Sequence, residues 1–156
     1  MSRGARFRYV LEPVLLTRTW QLDALMVELG EQHAAIAAQA LAQADIQARM
    51  VQAGAAWDEQ KAGASFQSVD QFVLVTRYMA ELARQAREAA LRMDELTAQR
   101  DVTIERVVLA KRSVEAAEAH RDAMRKRFVQ QRLSGDFKLA DDQWNTLQAG
   151  AIVHGS

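Results

Sequence analysis

The sequence has no cysteine, a single proline and no long uncharged apolar run. Without cysteine, disulfides, thiolate nucleophiles and cysteine-ligated zinc or iron–sulfur sites are excluded. Glu12 and Arg18 interrupt the apolar residues near the N-terminus, which is not the pattern of a secretory signal peptide. No stretch approaches the roughly 20 uncharged residues that a membrane-spanning helix needs. We therefore expect a cytoplasmic protein with no direct membrane insertion.

Aromatic residues make up only 6% of the chain, although 49% of it is hydrophobic. The apolar content is therefore mostly Ala, Leu, Val and Met, which favours thin contacts between helices over a thick core. Twenty basic and twenty acidic residues give a formal net charge of zero. A neutral chain without interleaved aromatic and basic residues argues against nucleic acid as a partner, and any electrostatic function is expected to be local.

Residue patterns typical of catalysis or cofactor binding are also missing. The seven glycines are scattered, and none belongs to a GxxxxGK[ST] or GxGxxG phosphate loop. The acidic pair Asp141–Asp142 is adjacent, so on a helix its carboxylates point about 100° apart and do not converge on one ligand. His33 and His120 are predicted to be surface residues. We expect no enzyme activity, no cofactor and no metal site.

The one proline indicates where the first helix begins. Proline suits the first turn of a helix, because the amide that it lacks would have no partner there. From Pro13 to Ala62 no second proline occurs, and one row of mostly apolar residues repeats every seven positions. The row predicts a long helix over 13–62. It consists of Leu15, Leu22, Leu29, Ile36, Gln43, Met50 and Trp57.

A turn is predicted at about 63–68, where small and polar residues collect, and Ser68 with Gln71 has the form of a capping box. Apolar residues then recur at alternating spacings of three and four, which is typical of a coiled coil and predicts a second helix over about 69–132. Arg100, Thr103 and Arg121 are the polar residues within this seam. Its apolar members are Phe72, Val75, Met79, Leu82, Ala86, Ala89, Met93, Leu96, Val107, Ala110, Val114, Ala117, Met124 and Phe128.

The residues 134–136 predict the end of the second helix, because Ser, Gly and Asp follow one another there. A short tail helix is predicted over about 137–148, where one apolar stripe recurs. The stripe is formed by Phe137, Ala140, Trp144 and Leu147. The sequence leaves three options open for this tail: folding back, remaining loose, or docking on a partner.

Two long helices joined by a short turn must run antiparallel, and their apolar rows predict how they pair. One register sets Trp57 opposite Phe72 and Leu15 opposite Val114, with its midpoint inside the predicted turn. We therefore predict an all-α fold with a single domain over 1–156. Its architecture would be a long antiparallel two-helix coiled-coil hairpin with a short C-terminal helical tail.

This register brings basic residues of both helices toward one end. Arg125, Lys126 and Arg127 form the densest basic cluster, and Arg3, Arg6, Arg8 and Arg18 lie near the start of the first helix. One interpretation is an ordinary solvated helix end, where cations suit the helix dipole. The other is a positive tip that docks on an acidic ring or groove.

Four stretches of the sequence resemble the FliJ/YscO family. The stretch Phe7–Arg18, with Phe-Arg-Tyr followed by Leu-Glu-Pro-Val-Leu and Arg, is similar to the N-terminal signature of that family. Val69–Val73 is similar to the start of its second helix, and Glu115–Arg127 resembles its charged C-terminal segment. Asp141–Trp144 weakly resembles an acidic element that follows.

The resemblance implies a central stalk of the export ATPase of a type III secretion system, flagellar or virulence-type. Such a stalk inserts into the hexameric ATPase ring, links it to the export gate membrane protein and binds export chaperones. It would be cytoplasmic and peripheral to the inner-membrane secretion apparatus. The matching positions imply a ring-facing end formed by Phe7, Arg8, Leu11, Pro13, Leu15, Arg18, Arg125, Lys126 and Arg127. They imply a gate-facing end formed by Trp57, Phe66 and Phe72.

Two other functions remain open at the level of the sequence. The chain could be a coiled-coil export chaperone or structural adaptor that binds secreted proteins along exposed apolar faces, without ATPase coupling. It could also be a structural homodimer in which two chains form a four-helix bundle, with about twice the mass of 17.5 kDa.

Overall fold

The computed structural model describes residues 4–63, 69–153 and 155, and its regular structure consists of two long helices. Helix α1 spans Glu12–Ala62 and helix α2 spans Val69–Val153. No β-strand occurs among the described residues. The chain is all-α, and the two helices pack against each other.

Helix α1 begins one residue before Pro13, so the proline lies in the first turn. The carbonyl of Leu11 accepts hydrogen bonds from the amides of Val14 and Leu15 at 3.0 and 3.1 Å. Pro13 has no amide hydrogen, so at this position of the first turn there is no backbone donor that needs a partner. Glu12 adds an acidic side chain to the first turn, where it complements the helix dipole.

Residues 64–68 lie outside the described residues, and most of the predicted turn falls there. Ser68 of the predicted capping box belongs to the same range. On the side of α1, the amide of Gly63 donates a hydrogen bond of 3.0 Å to the carbonyl of Glu59, at the C-terminal end of the helix.

The predicted break in the second helix is wrong. Helix α2 continues through 134–136, and the residues that predict a separate tail helix over 137–148 belong to it. One glycine costs a helix only about 1 kcal/mol relative to alanine, and no proline follows to remove a backbone hydrogen bond. Gly135 lies in open space, with nothing within 4 Å of the position of a Cβ. Weak helix formers without a proline therefore do not end α2.

The chain divides into two compact units. The terminal unit comprises Met1–Leu22 and Leu109–Ser156, and the middle unit comprises Asp23–Val108. Both units contain residues of α1 and of α2, so each has its own contacts between the helices.

In the terminal unit, Leu15 of α1 forms a buried cluster with Val114 and Ala117 of α2. Tyr9 and Leu22 are partly buried and pack against this cluster. The predicted pair of Leu15 and Val114 is therefore present. Each fully buried side chain of this size stabilises the fold by about 1.5–3 kcal/mol, so these few residues carry much of the stability of the unit.

In the middle unit, the rings of Trp57 and Phe72 lie 5.3 Å apart with an interplanar angle of 50°. This pair is also the predicted one. Further along the same unit, the side-chain amide of Gln39 donates a hydrogen bond of 3.0 Å to the backbone carbonyl of Ala89. A small residue at position 89 leaves room for the Gln39 side chain to reach the backbone of α2.

Every buried residue of α2 belongs to the predicted seam. The apolar ones are Leu82, Ala89, Leu96, Val107, Val114 and Ala117. The buried polar one is Thr103, whose hydroxyl donates a hydrogen bond of 3.1 Å to the carbonyl of Gln99 in the same helix. Thr103 is thus satisfied within α2 and needs no partner on α1.

Neither helix contains an apolar stretch sufficient to cross a membrane, within the part of the chain that the structure describes.

Candidate partner-binding site

The residues before α1 lie on the surface of α2. We call residues 4–11 the N-terminal segment; they are not helical. The ring of Phe7 lies 5.7 Å from the ring of Phe128, in a tilted arrangement that suits aromatic pairs. The guanidinium of Arg132 donates a hydrogen bond of 3.4 Å to the carbonyl of Ala5. Contacts to side chains of α2 therefore hold this segment, which has no secondary structure of its own.

Tyr9 makes the second aromatic contact of the N-terminal segment. Its hydroxyl oxygen lies 2.7 Å from Nδ1 of His120 and 3.5 Å from the carbonyl oxygen of Ala117. The rings of Tyr9 and His120 lie 5.6 Å apart. Since Tyr9 also packs against the cluster around Leu15, it joins the segment to the core of the terminal unit.

A basic cleft of about 490 Å³ lies between the N-terminal segment and α2. Its charged lining consists of arginines from both sides, and its floor includes the paired phenylalanine rings. The arginines are Arg6, Arg121, Arg125 and Arg132, and the rings are Phe7 and Phe128. We call this site the arginine cleft.

Among the residues that the structure describes, most guanidinium groups of the arginine cleft have no acidic partner. Nε of Arg121 lies 3.7 Å from Oδ1 of Asp122. Within the described residues, no ion pair is formed by Arg6, Arg125 or Arg132. Like charges in a shared cleft repel each other, so the segment is held there by its aromatic contacts against an unfavourable charge interaction. An anionic group in the cleft would remove this repulsion and accept charge-assisted hydrogen bonds.

The total charge is zero, but the two units carry net charges of opposite sign. The terminal unit has twelve basic and seven acidic residues, a net charge of +5. The middle unit has eight basic and thirteen acidic residues, a net charge of −5. A total charge of zero predicts no long-range electrostatic attraction, but each unit by itself carries enough net charge for such attraction.

The other residues of the predicted ring-facing end differ in their exposure. Arg8, Leu11 and Pro13 are exposed, and so are Arg125, Lys126 and Arg127. Leu15 is only 5% exposed, so it supports the site from the core and does not line it. The guanidinium of Arg18 donates a hydrogen bond of 3.2 Å to the carbonyl of Ser113. The structure brings Phe7 and Arg125 together in one cleft, and the role of all these residues in binding stays a prediction.

Of the three residues predicted at the gate-facing end, Trp57 and Phe72 are in ring contact in the middle unit. Phe72 is 48% exposed. Phe66 lies outside the described residues.

Tyr9, His120 and Phe128 belong to the site, but the sequence analysis did not assign them to it. A usable signal existed for two of them, since the register that sets Leu15 opposite Val114 also sets Tyr9 opposite His120. A heptad register relates positions on two helices, and Tyr9 precedes α1. Contacts made by a non-helical segment leave no periodicity in the sequence.

Among the described residues, no three acidic or histidine side chains come together as metal ligands. Comparisons with models of protein families, with curated proteins and with solved structures found no match to this chain.

Proposed function

We propose that the chain is the central stalk of a type III secretion export ATPase, as the resemblance of its first residues to the FliJ/YscO family implies. In this role it inserts into the hexameric ATPase ring and connects the ring to the export gate and to export chaperones. It works in the cytoplasm beside the inner-membrane secretion apparatus, flagellar or virulence-type, and performs no bond chemistry.

The fold that this proposal needs is an antiparallel coiled-coil hairpin. In the terminal unit, Tyr9 contacts Ala117 and His120, while Arg18, later in the chain, contacts the earlier Ser113. The same reversed order holds in the middle unit, where Gln39 contacts Ala89 and Trp57 contacts Phe72. The buried residues of α2 lie seven, four or three positions apart, as in a heptad repeat, and this supports a coiled-coil interface.

The arginine cleft is the observation that carries the proposal. A stalk can couple ring states to another site only if it contacts those states with different free energies. Unpaired arginines in a unit of net charge +5 bind an acidic ring surface strongly where carboxylates approach and weakly where they withdraw. Phe7 and Phe128 add an apolar contact, and how well it fits also depends on the conformation of the ATPase ring.

The contact with the gate is assigned to Trp57 and Phe72, together with Phe66. Paired aromatic rings with one partly exposed member provide an apolar contact of the kind found at the centre of protein interfaces. This end belongs to the acidic middle unit, so its chemistry differs from that of the arginine cleft.

The proposal is tested by reversing the charge of Arg125, Lys126 and Arg127 to Glu. All three side chains are exposed, so we expect helicity to be unchanged and binding to the export ATPase to be lost in a pull-down. The matched control reverses Arg77, Arg87 and Arg92, three exposed arginines of the middle unit, and should bind as the unaltered chain does. Unchanged ATPase binding by the first variant would remove the proposal.

A chaperone or adaptor without ATPase coupling is the second candidate, because several large apolar side chains are exposed along both helices. Trp20, Leu41 and Leu91 are exposed by 66%, 74% and 66%. Addition of the purified chain to the export ATPase separates the two functions. A stalk changes the rate of ATP hydrolysis, whereas a chaperone binds export substrates and leaves that rate as it was.

A further inference from the structure

The last 25 residues of α2 contact the N-terminal segment at Val129 and Arg132, but from Leu133 to Val153 none of the described residues packs on α1 or on this segment. Every residue from Val129 to Val153 is exposed, although this part of the helix carries large apolar side chains. We call these residues the α2 tail. Phe137 is 72% exposed, Trp144 is 62% exposed and Leu147 is 70% exposed.

Four large apolar residues and two alanines of the α2 tail form a regular stripe. Their spacing alternates between four and three, as in the seam of a coiled coil, and the stripe consists of Leu133, Phe137, Ala140, Trp144, Leu147 and Ala151. At about 100° per residue, this stripe is centred about 140° around the helix from the seam residues Val114–Phe128. The tail therefore does not continue the contact with α1 but presents a separate face.

We propose that this face pairs with the same face of a second copy of the chain, forming an antiparallel coiled coil of two α2 tails. The proposal does not depend on the function as a stalk. It gives the apolar stripe a partner, and it places the two-fold axis of the dimer beside residue 142.

The sizes of the stripe residues fit an antiparallel pair. In this arrangement Trp144 packs on the partner's Ala140, Phe137 on the partner's Leu147 and Leu133 on the partner's Ala151. Large residues thus face small or medium ones in every layer, which is how helix interfaces reach native packing density. A parallel pair would instead stack Trp144 on its own copy and leave a gap at Ala140, so some layers would be crowded and others empty.

The available area is sufficient for a dimer of modest affinity. At their observed exposures, the four aromatic side chains of a pair supply about 400–700 Å² of buried surface. The four leucines bring the total to about 1,000 Å², close to the lower bound for a specific interface. We therefore expect self-association in the micromolar range.

Charge also favours a second copy over an anionic surface. The α2 tail carries Arg132, Lys138, Asp136, Asp141 and Asp142, a net charge of −1. An anionic lipid surface would repel this segment, whereas a second copy meets almost no net repulsion. The closest like charges in the dimer are the two copies of Asp141 beside the axis. Salt should therefore leave the dimer unchanged or strengthen it.

The first test measures the molar mass of the full chain by sedimentation equilibrium at about 1–200 µM, the range set by the expected affinity. We expect the mass to rise from 17.5 kDa toward twice that value. Phe137→Glu with Trp144→Glu should weaken association at least tenfold. Leu41→Glu, at an equally exposed apolar position of the middle unit, should leave it unchanged.

The second test uses the absence of native cysteine to measure the orientation of the pair. Gln143→Cys lies beside the two-fold axis and should cross-link to its own copy with a short bis-maleimide. Gln148→Cys flanks the same stripe, but its two copies are separated by about 18 Å along the axis and should not cross-link. A mixture of Gln148→Cys and Ser134→Cys chains should form the mixed product.

Several results would overturn the proposal. A chain that remains monomeric at the highest concentration shows that the tail has no second copy as partner. Equal cross-linking of Gln143→Cys and Gln148→Cys shows a pairing that is not antiparallel in this register. Association that weakens steeply between about 50 and 500 mM salt shows attraction between oppositely charged units and not between apolar stripes. The cross-linking result holds even if the double Glu variant loses helicity in its tail.

Discussion

The hydroxyl oxygen of Tyr9 lies 2.7 Å from Nδ1 of His120, and this contact joins the non-helical N-terminal segment to α2. Phe7 and Phe128 make the other aromatic contact of the same segment. Together with the hydrogen bond from Arg132 to the carbonyl of Ala5, these two pairs hold the segment that forms one side of the arginine cleft.

Tyr9→Phe removes the hydroxyl and leaves the ring in the core cluster. We expect a loss of about 0.5–1.5 kcal/mol in the free energy of unfolding, the usual net worth of one hydrogen bond. His120→Ala combined with Tyr9→Phe should cost less than the sum of the single changes, because both remove the same contact. Strict additivity in a double-mutant cycle measured by urea unfolding would show that the two side chains do not interact.

Leu15→Ala should be the more damaging of two neighbouring truncations. Leu15 is 5% exposed and packs on Val114 and Ala117, so its loss should cost about 2–5 kcal/mol. Leu16 is 43% exposed, and Leu16→Ala should change stability by less than about 0.5 kcal/mol. Urea unfolding followed by circular dichroism measures both values. Equal losses would contradict the placement of the core.

Thr103→Val should be tolerated although Thr103 is only 2% exposed. Its hydroxyl donates a hydrogen bond to the carbonyl of Gln99. That carbonyl also accepts the helical hydrogen bond from the Thr103 amide, so it keeps a partner when the hydroxyl is removed. We expect the free energy of unfolding to change by less than about 1 kcal/mol. Thr97→Val is the matched control, since Thr97 makes the same bond to Met93. A much larger loss at position 103 would indicate a polar contact across the helix interface.

Gly135→Ala tests whether α2 is continuous. In a helix with open space around the residue, alanine stabilises by about 0.5–1 kcal/mol, so amide exchange in the α2 tail should slow about two- to fivefold. Gly30→Ala in α1 is surrounded by the same open space and should bring a similar gain in helicity. If the helix ended at Gly135 in a left-handed conformation, alanine would destabilise it instead.

Arg84 and Glu81 form an exposed ion pair on α2 that lowers the pKa of the Glu81 carboxyl. Hydrogen bonds from Arg84, and then from Gln85, lower the pKa of the Glu81 carboxyl from 4.5 to about 2. Because the folded-state pKa is lowered, the stabilisation by this pair is complete above about pH 4.5 and is lost as the pH falls through about 2.

Arg84→Met should return the pKa of Glu81 toward its ordinary value, as measured by ¹³C NMR of the side-chain carboxyl. The melting temperature at neutral pH should barely change, because exposed ion pairs are screened by water and salt. Arg87→Met, which removes an exposed arginine of the same helix, is the control and should leave the Glu81 titration as it was. A Glu81 pKa that stays near 2 without Arg84 would contradict this explanation.

The parts of the fold that could be predicted are those encoded by periodic side chains. The seam of α2 and the row of α1 repeat over many heptads, so the buried positions from Leu82 to Ala117 follow from the spacing alone. Pro13 likewise marks the first turn of α1 for a steric reason that does not depend on the rest of the fold.

The parts that could not be predicted depend on weak or non-periodic effects. The helix penalty of Gly135 is about 1 kcal/mol and those of Ser134 and Asp136 are smaller, too little to end a long helix without a proline. The docking of Phe7 and Tyr9 involves a segment without regular structure. The opposite charges of the two units emerge only when the chain is divided by its contacts, because the total charge is zero.

The N-terminal segment is covalently attached beside the surface of α2 around Phe128 that it contacts. It therefore competes with any other molecule that binds this surface. A tethered group a few residues from its site acts at an effective concentration on the order of millimolar. An external protein that needs the surface around Phe128 must therefore displace the segment first, and its measured affinity is lowered by the fraction of time that the segment is bound. Removal of residues 1–8 should thus strengthen, and not weaken, any ligand that uses Phe128, whereas a ligand that needs Arg6 should be lost.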